Sequence, residues 1–137
     1  MKGIYVLVIR LKENTYVRVG KIGEFFFTKG LYAYVGSAQV SLEKRIKRHR
    51  KKEKRVFWHI DYLLQKPEFE IIRVFYENAN KVAECKIANE IAVQGKSVKR
   101  FGCSDCKCQS HLFYLSTYRF LYDLMKEYVM PNPSTVS

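Results

Sequence analysis

Gly3-Ile4-Tyr5-Val6-Leu7-Val8-Ile9 opens the chain with a run rich in β-branched and aromatic residues, which predicts a β-strand. A second run, Leu31-Tyr32-Ala33-Tyr34-Val35, has the same character and predicts another strand, which Gly36-Ser37 would end. Ser41 follows at the position of a helix N-cap, and the pattern after it predicts a helix over residues 42–53. The two strands and this helix would meet at one junction.

The helix predicted over residues 42–53 carries two side chains that suit phosphate chemistry. Arg45 and His49 lie four residues apart, so they share a helix face beside the inner residues Leu42 and Ile46. The planar guanidinium of Arg45 can hold two phosphate oxygens at once. A nearby cation can also lower the pKa of a tyrosine and let it act as a general base. We expect the exposed side of the helix to bind nucleic acid through a basic set: Lys44, Lys47, Arg48, Lys51 and Lys54.

Glu84 is a carboxylate in an apolar position. At 3.6 residues per turn it falls in line with Ile87, Ala88 and Ile91 on a helix predicted over residues 81–93. A carboxylate on such a stripe must be paired, hydrogen-bonded or bound to a cation. The residues alone leave two alternatives open, a buried ion pair with an arginine or a ligand to a hydrated Mg²⁺.

The remaining patterns predict an α+β fold in which helices flank a small, mostly antiparallel sheet. Residues 2–11 and 15–19 predict two strands of one hairpin that turns at Glu13-Asn14. The other predicted elements are a strand over 24–29, a short helix over 58–65, strands over 69–76 and 112–115, and an amphipathic helix over 118–130.

The ordered set of Gly3-Ile4-Tyr5, Tyr34-Val35-Gly36, Arg45, His49 and Glu84 resembles the GIY-YIG endonuclease family. Two further segments, residues 58–64 and 101–112, resemble its small stand-alone prokaryotic branch of Uri-type endonucleases. The resemblance covers residues 3 to about 94, which is most of the chain.

The resemblance implies a metal-dependent endonuclease that hydrolyses DNA phosphodiester bonds. Tyr5 would accept the proton of the attacking water, Arg45 would offset negative charge in the transition state, and Glu84 would hold one Mg²⁺ or Mn²⁺. Tyr34 and His49 would orient the phosphate or relay protons. The alternative is a non-catalytic basic module that only binds nucleic acid, with or without a stabilising zinc ion.

A cysteine-rich segment offers soft metal ligands. Cys103, Cys106, Cys108 and His111 have the spacing C-x2-C-x-C-x2-H, and zinc binds such a mixture tetrahedrally. Buried thiols or a disulfide, and a role for His111 or Asp105 near the active site, are the other interpretations. The spacing does not decide between them.

The length and charge of the chain limit its organisation and its partners. With 137 residues, we expect one domain over residues 1–130 and a frayed tail over 131–137. The net charge of +12 favours DNA as partner over a membrane. The chain has neither a membrane-spanning apolar run nor a signal-peptide pattern, so we expect a cytoplasmic protein with reduced cysteines. The oligomeric state is not readable from the sequence.

Overall fold

The computed structural model describes residues 1–99, 101 and 110–129. The strands within these residues are β1 Gly3–Leu11, β2 Thr15–Val19, β3 Gly23–Phe27, β4 Gly30–Ala38, β5 Phe69–Glu77, β6 Gly95–Ser97, β7 Leu112–Leu115 and β8 Lys126–Glu127. The α-helices are α1 Leu42–Arg50, α2 His59–Leu64, α3 Ala83–Gln94 and α4 Leu121–Leu124. No helix in this part of the chain is long and apolar enough to cross a membrane.

Strand β1 is an inner strand of a six-stranded sheet with the order β6-β7-β4-β1-β5-β8. It pairs antiparallel with β4 along one edge and with β5 along the other, and the remaining pairs of the sheet are antiparallel as well. Both faces of β1 are covered, since no side chain from Ile4 to Ile9 is more than 1% exposed. A strand buried on both faces has a continuous apolar sequence, as β1 does.

The sheet separates two apolar cores, because successive side chains of a strand point to opposite faces. Tyr5, Leu7 and Ile9 of β1 face a core that includes residues of α1, α2 and the β2–β3 hairpin. Ile4, Val6 and Val8 face the other core, which includes residues of α3 and α4. The predicted α+β class, with helices beside an antiparallel sheet, is confirmed.

Helix α1 begins where the sequence predicts and ends earlier. The Ser41 side chain accepts a hydrogen bond from the backbone N–H of Lys44, as an N-cap does, and Leu42 and Ile46 are buried. At the other end, the Nζ of Lys54 donates to the carbonyls of Arg48 and His49, at 3.2 and 2.9 Å. These bonds satisfy carbonyls that have no partner within the helix, so the helix stops at Arg50 rather than at residue 53.

Asp61 of α2 is a fully buried carboxylate that joins α2 to α1. It accepts hydrogen bonds of 3.0 and 2.9 Å from the guanidinium of Arg48, and 2.9 Å bonds from the backbone N–H groups of Phe57 and Trp58. Burial alone would raise the pKa of Asp61, but these bonds outweigh it and hold the pKa below its usual value. The carboxylate therefore stays charged and fixes the segment that leads into α2.

Three predicted elements are wrong. Residues 2–11 and 15–19 form strands but not a hairpin, because both edges of β1 are taken by β4 and β5 and β2 pairs with β3 instead. Gly36-Ser37 does not end its strand, because β4 continues to Ala38. The helix predicted over 118–130 is reduced to α4, because Lys126 and Glu127 pair with the edge of β5.

We predict that Asp61→Ala lowers the free energy of unfolding by about 3 to 5 kcal/mol, because it leaves a buried pair partner and two backbone N–H groups without their acceptor. Urea denaturation of the two proteins measures the change. Glu70→Ala is the control, since it removes an exposed carboxylate that pairs with Arg10. Equal midpoints for all three proteins would mean that the Asp61 network does not support the fold.

Candidate active site

Tyr5 and Tyr34 lie on the same face of two adjacent strands. Tyr5 is opposite Gly36 in the register of β1 and β4, and both tyrosines are buried in the core that faces α1. A Cβ at position 36 would collide with the ring and hydroxyl of Tyr5. Gly36 is therefore the residue that makes room for the Tyr5 side chain.

The hydroxyl of Tyr5 is hydrogen-bonded to the imidazole of His49, with 2.7 Å between Oη and Nε2. Burial is the largest influence on the Tyr5 pKa and raises it far above the usual value, although the charge and hydrogen bond of Arg45 act in the opposite direction. Arg45 alone thus does not make Tyr5 an easily ionised base, and a lowering of its pKa by a bound metal ion stays a prediction. Burial likewise raises the pKa of Tyr34. Both side chains are neutral phenols.

His49 is a buried, uncharged histidine, with 1% of its surface exposed. Burial is the largest influence on its pKa and, together with the positive charge of Lys54, lowers it to about 3. Its Nε2 faces Tyr5, while its Nδ1 has no hydrogen-bond partner among the residues that the structure describes. The Tyr5–His49 pair is therefore a neutral hydrogen-bonded pair.

Arg45 is held by two contacts that leave part of its guanidinium for a ligand. One N–H donates to the carbonyl of Ser37 at 3.0 Å, and the guanidinium carbon lies 4.3 Å from the centre of the Trp58 ring. A guanidinium has five N–H donors, so the carbonyl and Tyr5 do not exhaust them. The fixed position lets Arg45 bind an anion without ordering its side chain at that moment.

Glu84 lies in the first turn of α3 and is paired, as its apolar position requires. Its Oε1 is 3.1 Å from Nδ1 of His111, and the side chain is 13% exposed. The partner is a histidine rather than the arginine considered from the sequence. His111, the one predicted zinc ligand within the described residues, therefore lies beside the predicted magnesium ligand.

These side chains line one cavity of about 410 Å³. Its walls include four of the five predicted catalytic residues, namely Tyr5, Tyr34, Arg45 and Glu84, and His49 lies behind Tyr5. Sequence reasoning missed or undervalued other lining residues: Gln39, Phe57, Trp58, His59 and Lys81. Burial lowers the pKa of His59. A signal existed for Phe57 and Trp58, which are aromatic residues directly after a basic run.

The basic residues around α1 divide into two groups. Lys44, Lys47 and Lys51 are exposed and available to a polyanion. Arg48 and Lys54, which we predicted as nucleic-acid ligands, have structural contacts. Arg48 donates to Asp61 and to the carbonyl of Arg55, and the Lys54 side chain is 5% exposed, with burial lowering its pKa to about 8. Their assignment as nucleic-acid ligands stays a prediction.

Several predictions fall on residues outside the described ranges. Cys103, Cys106 and Cys108 lie there, so zinc binding stays a prediction, as does the tail over 131–137.

Cys85 is disulfide-bonded, whereas we expected reduced cysteines.

Comparison with known proteins identifies a different family from the one that the motifs resemble. The family model described as "Domain of unknown function DUF123" matches residues 4–131. The resemblance to GIY-YIG endonucleases and their Uri-type branch is therefore wrong, since the matching family is a distinct domain. No curated protein and no solved structure matches the chain.

We predict that the protein loses stability as the pH falls from about 6.5 to about 3, since His49 binds a proton in the unfolded chain but not in the folded one over that window. His49→Gln, which cannot titrate, should show a smaller loss over the same window. Melting temperatures measured at intervals of pH test this. Parallel curves for the two proteins would show that His49 is protonated at the same pH in both states.

Proposed function

The chain belongs to the DUF123 family, and we propose that it is a divalent-metal-dependent endonuclease that hydrolyses DNA phosphodiester bonds. The observation that carries this proposal is the meeting of Tyr5, Arg45 and Glu84 in one cavity of about 410 Å³. Hydrolysis of a phosphodiester needs a positive group for the phosphate, a proton acceptor and a stabilised leaving oxygen. The cavity walls supply a candidate for each of these needs.

Arg45 is the candidate for the phosphate. Its guanidinium is fixed against Trp58 and the Ser37 carbonyl, and its remaining N–H groups can bind two non-bridging oxygens in the fork geometry of arginine. Lys81 lines the same cavity and adds a second positive charge. Charge that develops on the phosphate would then meet donors that are already in place.

The Tyr5–His49 pair is the candidate for proton transfer. A free phenolate at Tyr5 is unfavourable, because burial raises its pKa. A relay avoids that species: the Tyr5 oxygen takes a proton from water while its own proton crosses the 2.7 Å hydrogen bond to Nε2 of His49. The step needs the neutral tautomer of His49 that carries its proton on Nδ1 and accepts at Nε2, and the pKa of about 3 makes this imidazole a weak base on its own. The negative charge of a bound phosphate would favour the protonated imidazole.

Glu84 is the candidate ligand for a divalent ion. The described residues contain no group of three or more side chains that could cage a metal. A single carboxylate fits Mg²⁺ or Mn²⁺ that keeps several waters and shares the substrate phosphate, which is a usual arrangement for Mg²⁺. The ion would supply positive charge for the phosphate and leaving oxygen. His111, 3.1 Å away, would orient the carboxylate.

The exposed lysines of α1 are the candidate contacts to DNA outside the cavity. Lys44, Lys47 and Lys51 lie on the helix that also carries Arg45, so a strand along them would enter the cavity. The net charge of +12 supports attraction of a polyanion. A cytoplasmic location is part of this proposal.

The alternative is a module that binds nucleic acid without cleaving it. The neutral Tyr5–His49 pair and the pairing of Glu84 with His111 favour it, since each of these side chains already has a partner when no substrate or metal ion is bound. Under this alternative the cavity would hold a phosphate through Arg45, and neither Glu84 nor a divalent ion would be needed.

We predict that Glu84→Gln abolishes Mg²⁺- or Mn²⁺-dependent cleavage while its melting temperature and DNA affinity stay close to those of the parent protein. Gln keeps the shape of the side chain but removes the charge that binds a metal ion. The assay uses single-stranded, nicked, branched and duplex DNA, with and without EDTA. The control is Glu90→Gln on the same helix, which should cleave normally. Cleavage by Glu84→Gln at the parent rate would remove Glu84 from the site, and no cleavage by the parent protein on any DNA would favour the binding module.

We also predict that changing Lys44, Lys47 and Lys51 to Ala makes the dependence of DNA affinity on salt shallower, by roughly one phosphate contact per lysine. Titrations at several salt concentrations give the slope. The control changes Lys86, Lys96 and Lys126, which are exposed on other elements, and removes the same charge. Equal slopes for both triple variants would show that DNA does not lie along α1.

A further inference from the structure

Phe57 and Trp58 form a wall between two cavities. One is the candidate active site, and the other has about 360 Å³ and is lined by Arg48, Arg55, Phe57 and Trp58. We propose that Phe57 stacks against an unpaired nucleobase of the strand whose phosphate enters the active site. This inference rests on the proposed function and names its substrate class, a nucleic acid with an unpaired base beside the phosphate that is cut.

Phe57 is a large apolar side chain that is exposed to solvent beside the candidate active site. It is 77% exposed, although it lines both cavities. Its ring meets the Trp58 ring edge to face, with 4.9 Å between centroids and an angle of 75°. This contact holds the orientation of the Phe57 ring and leaves a large part of its surface open to a planar ligand. Stacking of a base on an aromatic ring is a common way to bind single-stranded nucleic acid.

The backbone that carries Phe57 is fixed before any ligand binds. The N–H groups of Phe57 and Trp58 both donate to Asp61 at 2.9 Å. Arg48 ties the same carboxylate to α1 and donates to the carbonyl of Arg55. A ring on a fixed backbone loses less conformational freedom on binding than a ring on a mobile loop, so stacking would cost less entropy.

The charges around Phe57 fit a nucleotide rather than an apolar partner. The charge of Arg48 is offset by Asp61, and its guanidinium lies 4.5 Å from the centre of the Trp58 ring. Arg55 is exposed and has no ion-pair partner among the described residues. The second cavity therefore offers one aromatic face and one available positive charge, which suit a base and the phosphate next to it.

The position of Phe57 also limits which nucleic acids can use the site. A base in a regular duplex is paired and stacked on its neighbours, so its faces are not available to Phe57. A base in a single strand, a flap or a bulge is available. Since Phe57 borders the cavity that contains Arg45, the stacked base and the phosphate held by Arg45 would belong to neighbouring nucleotides.

The test measures binding in EDTA, so that cleavage does not interfere. Single-stranded DNA with one 2-aminopurine is titrated with the parent protein, and stacking on Phe57 should quench its fluorescence. Phe57→Ala should weaken binding of the single strand by about tenfold and remove the quenching. Binding of a duplex of the same sequence should change much less. A single-stranded RNA of the same sequence, as a second arm, shows which sugar the site accepts.

Two variants separate stacking from general effects. Phe57→Tyr keeps an aromatic ring and should keep the quenching. Phe26→Ala removes another exposed phenylalanine, one that lines neither cavity, and should bind like the parent protein. The inference is overturned if Phe57→Ala weakens single strand and duplex equally, or if it changes neither affinity nor quenching while its melting temperature matches the parent.

The same data keep this inference separate from the proposed nuclease activity. Quenching that depends on Phe57, in a protein that cleaves none of the DNAs with Mg²⁺ or Mn²⁺, would keep the base site and reject the nuclease. Cleavage that depends on Glu84 but prefers duplex and ignores Phe57 would keep the nuclease and reject the base site.

Discussion

The structure depends on the burial of strand β1 from Ile4 to Ile9. The side chains of this stretch pack into cores on both faces, and its backbone pairs with β4 along one edge and, with an irregularity between Val8 and Ile9, with β5 along the other. A strand in this position fixes the elements around it, because α1, α2 and the β2–β3 hairpin must cover one face while α3 and α4 cover the other. Tyr5 carries the polar side chain of this buried stretch, and its hydroxyl is hydrogen-bonded to His49.

The sequence predicted those elements whose signal is local. β1 and β5 are apolar runs of strand length, and α1 begins at a serine cap, so all three were located to within a few residues. Pairing is not local, and the predicted hairpin of β1 and β2 was therefore wrong. The C-terminal segment shows the same limit. Leu121 and Met125 have helical spacing and are both buried, yet the open edge of β5 binds the chain after them as β8.

The sequence also predicted those features of the candidate site that depend on residue type and local spacing, but not those that depend on burial. Tyr5, Tyr34, Arg45, His49 and Glu84 stood out by residue type and spacing, and they do lie around one cavity. The lysines of the basic run look alike in sequence, but the Lys54 side chain is buried. Its ammonium group lies near the Asp61 carboxylate and donates hydrogen bonds to two carbonyls at the end of α1. The role that we propose for Phe57 could not be read from the chain, since the position of its backbone depends on the same carboxylate, four residues later. The pKa values of Tyr5 and His49 depend on burial, which the sequence does not give.

Gly36 makes two distant positions of the chain depend on each other. A side chain at position 36 is accommodated if the residue at position 5 is smaller than tyrosine, so a substitution at 36 would select for the loss of the Tyr5 ring. Such a change adds no polar atom and leaves every charged residue of the cavity in place. Under the proposed function, copies with a side chain at position 36 and a smaller residue at position 5 would lack the Tyr5 hydroxyl for hydrolysis and would keep the fold for binding alone. Positions 5 and 36 read together, rather than the charged residues, would then indicate which copies keep the proposed proton acceptor.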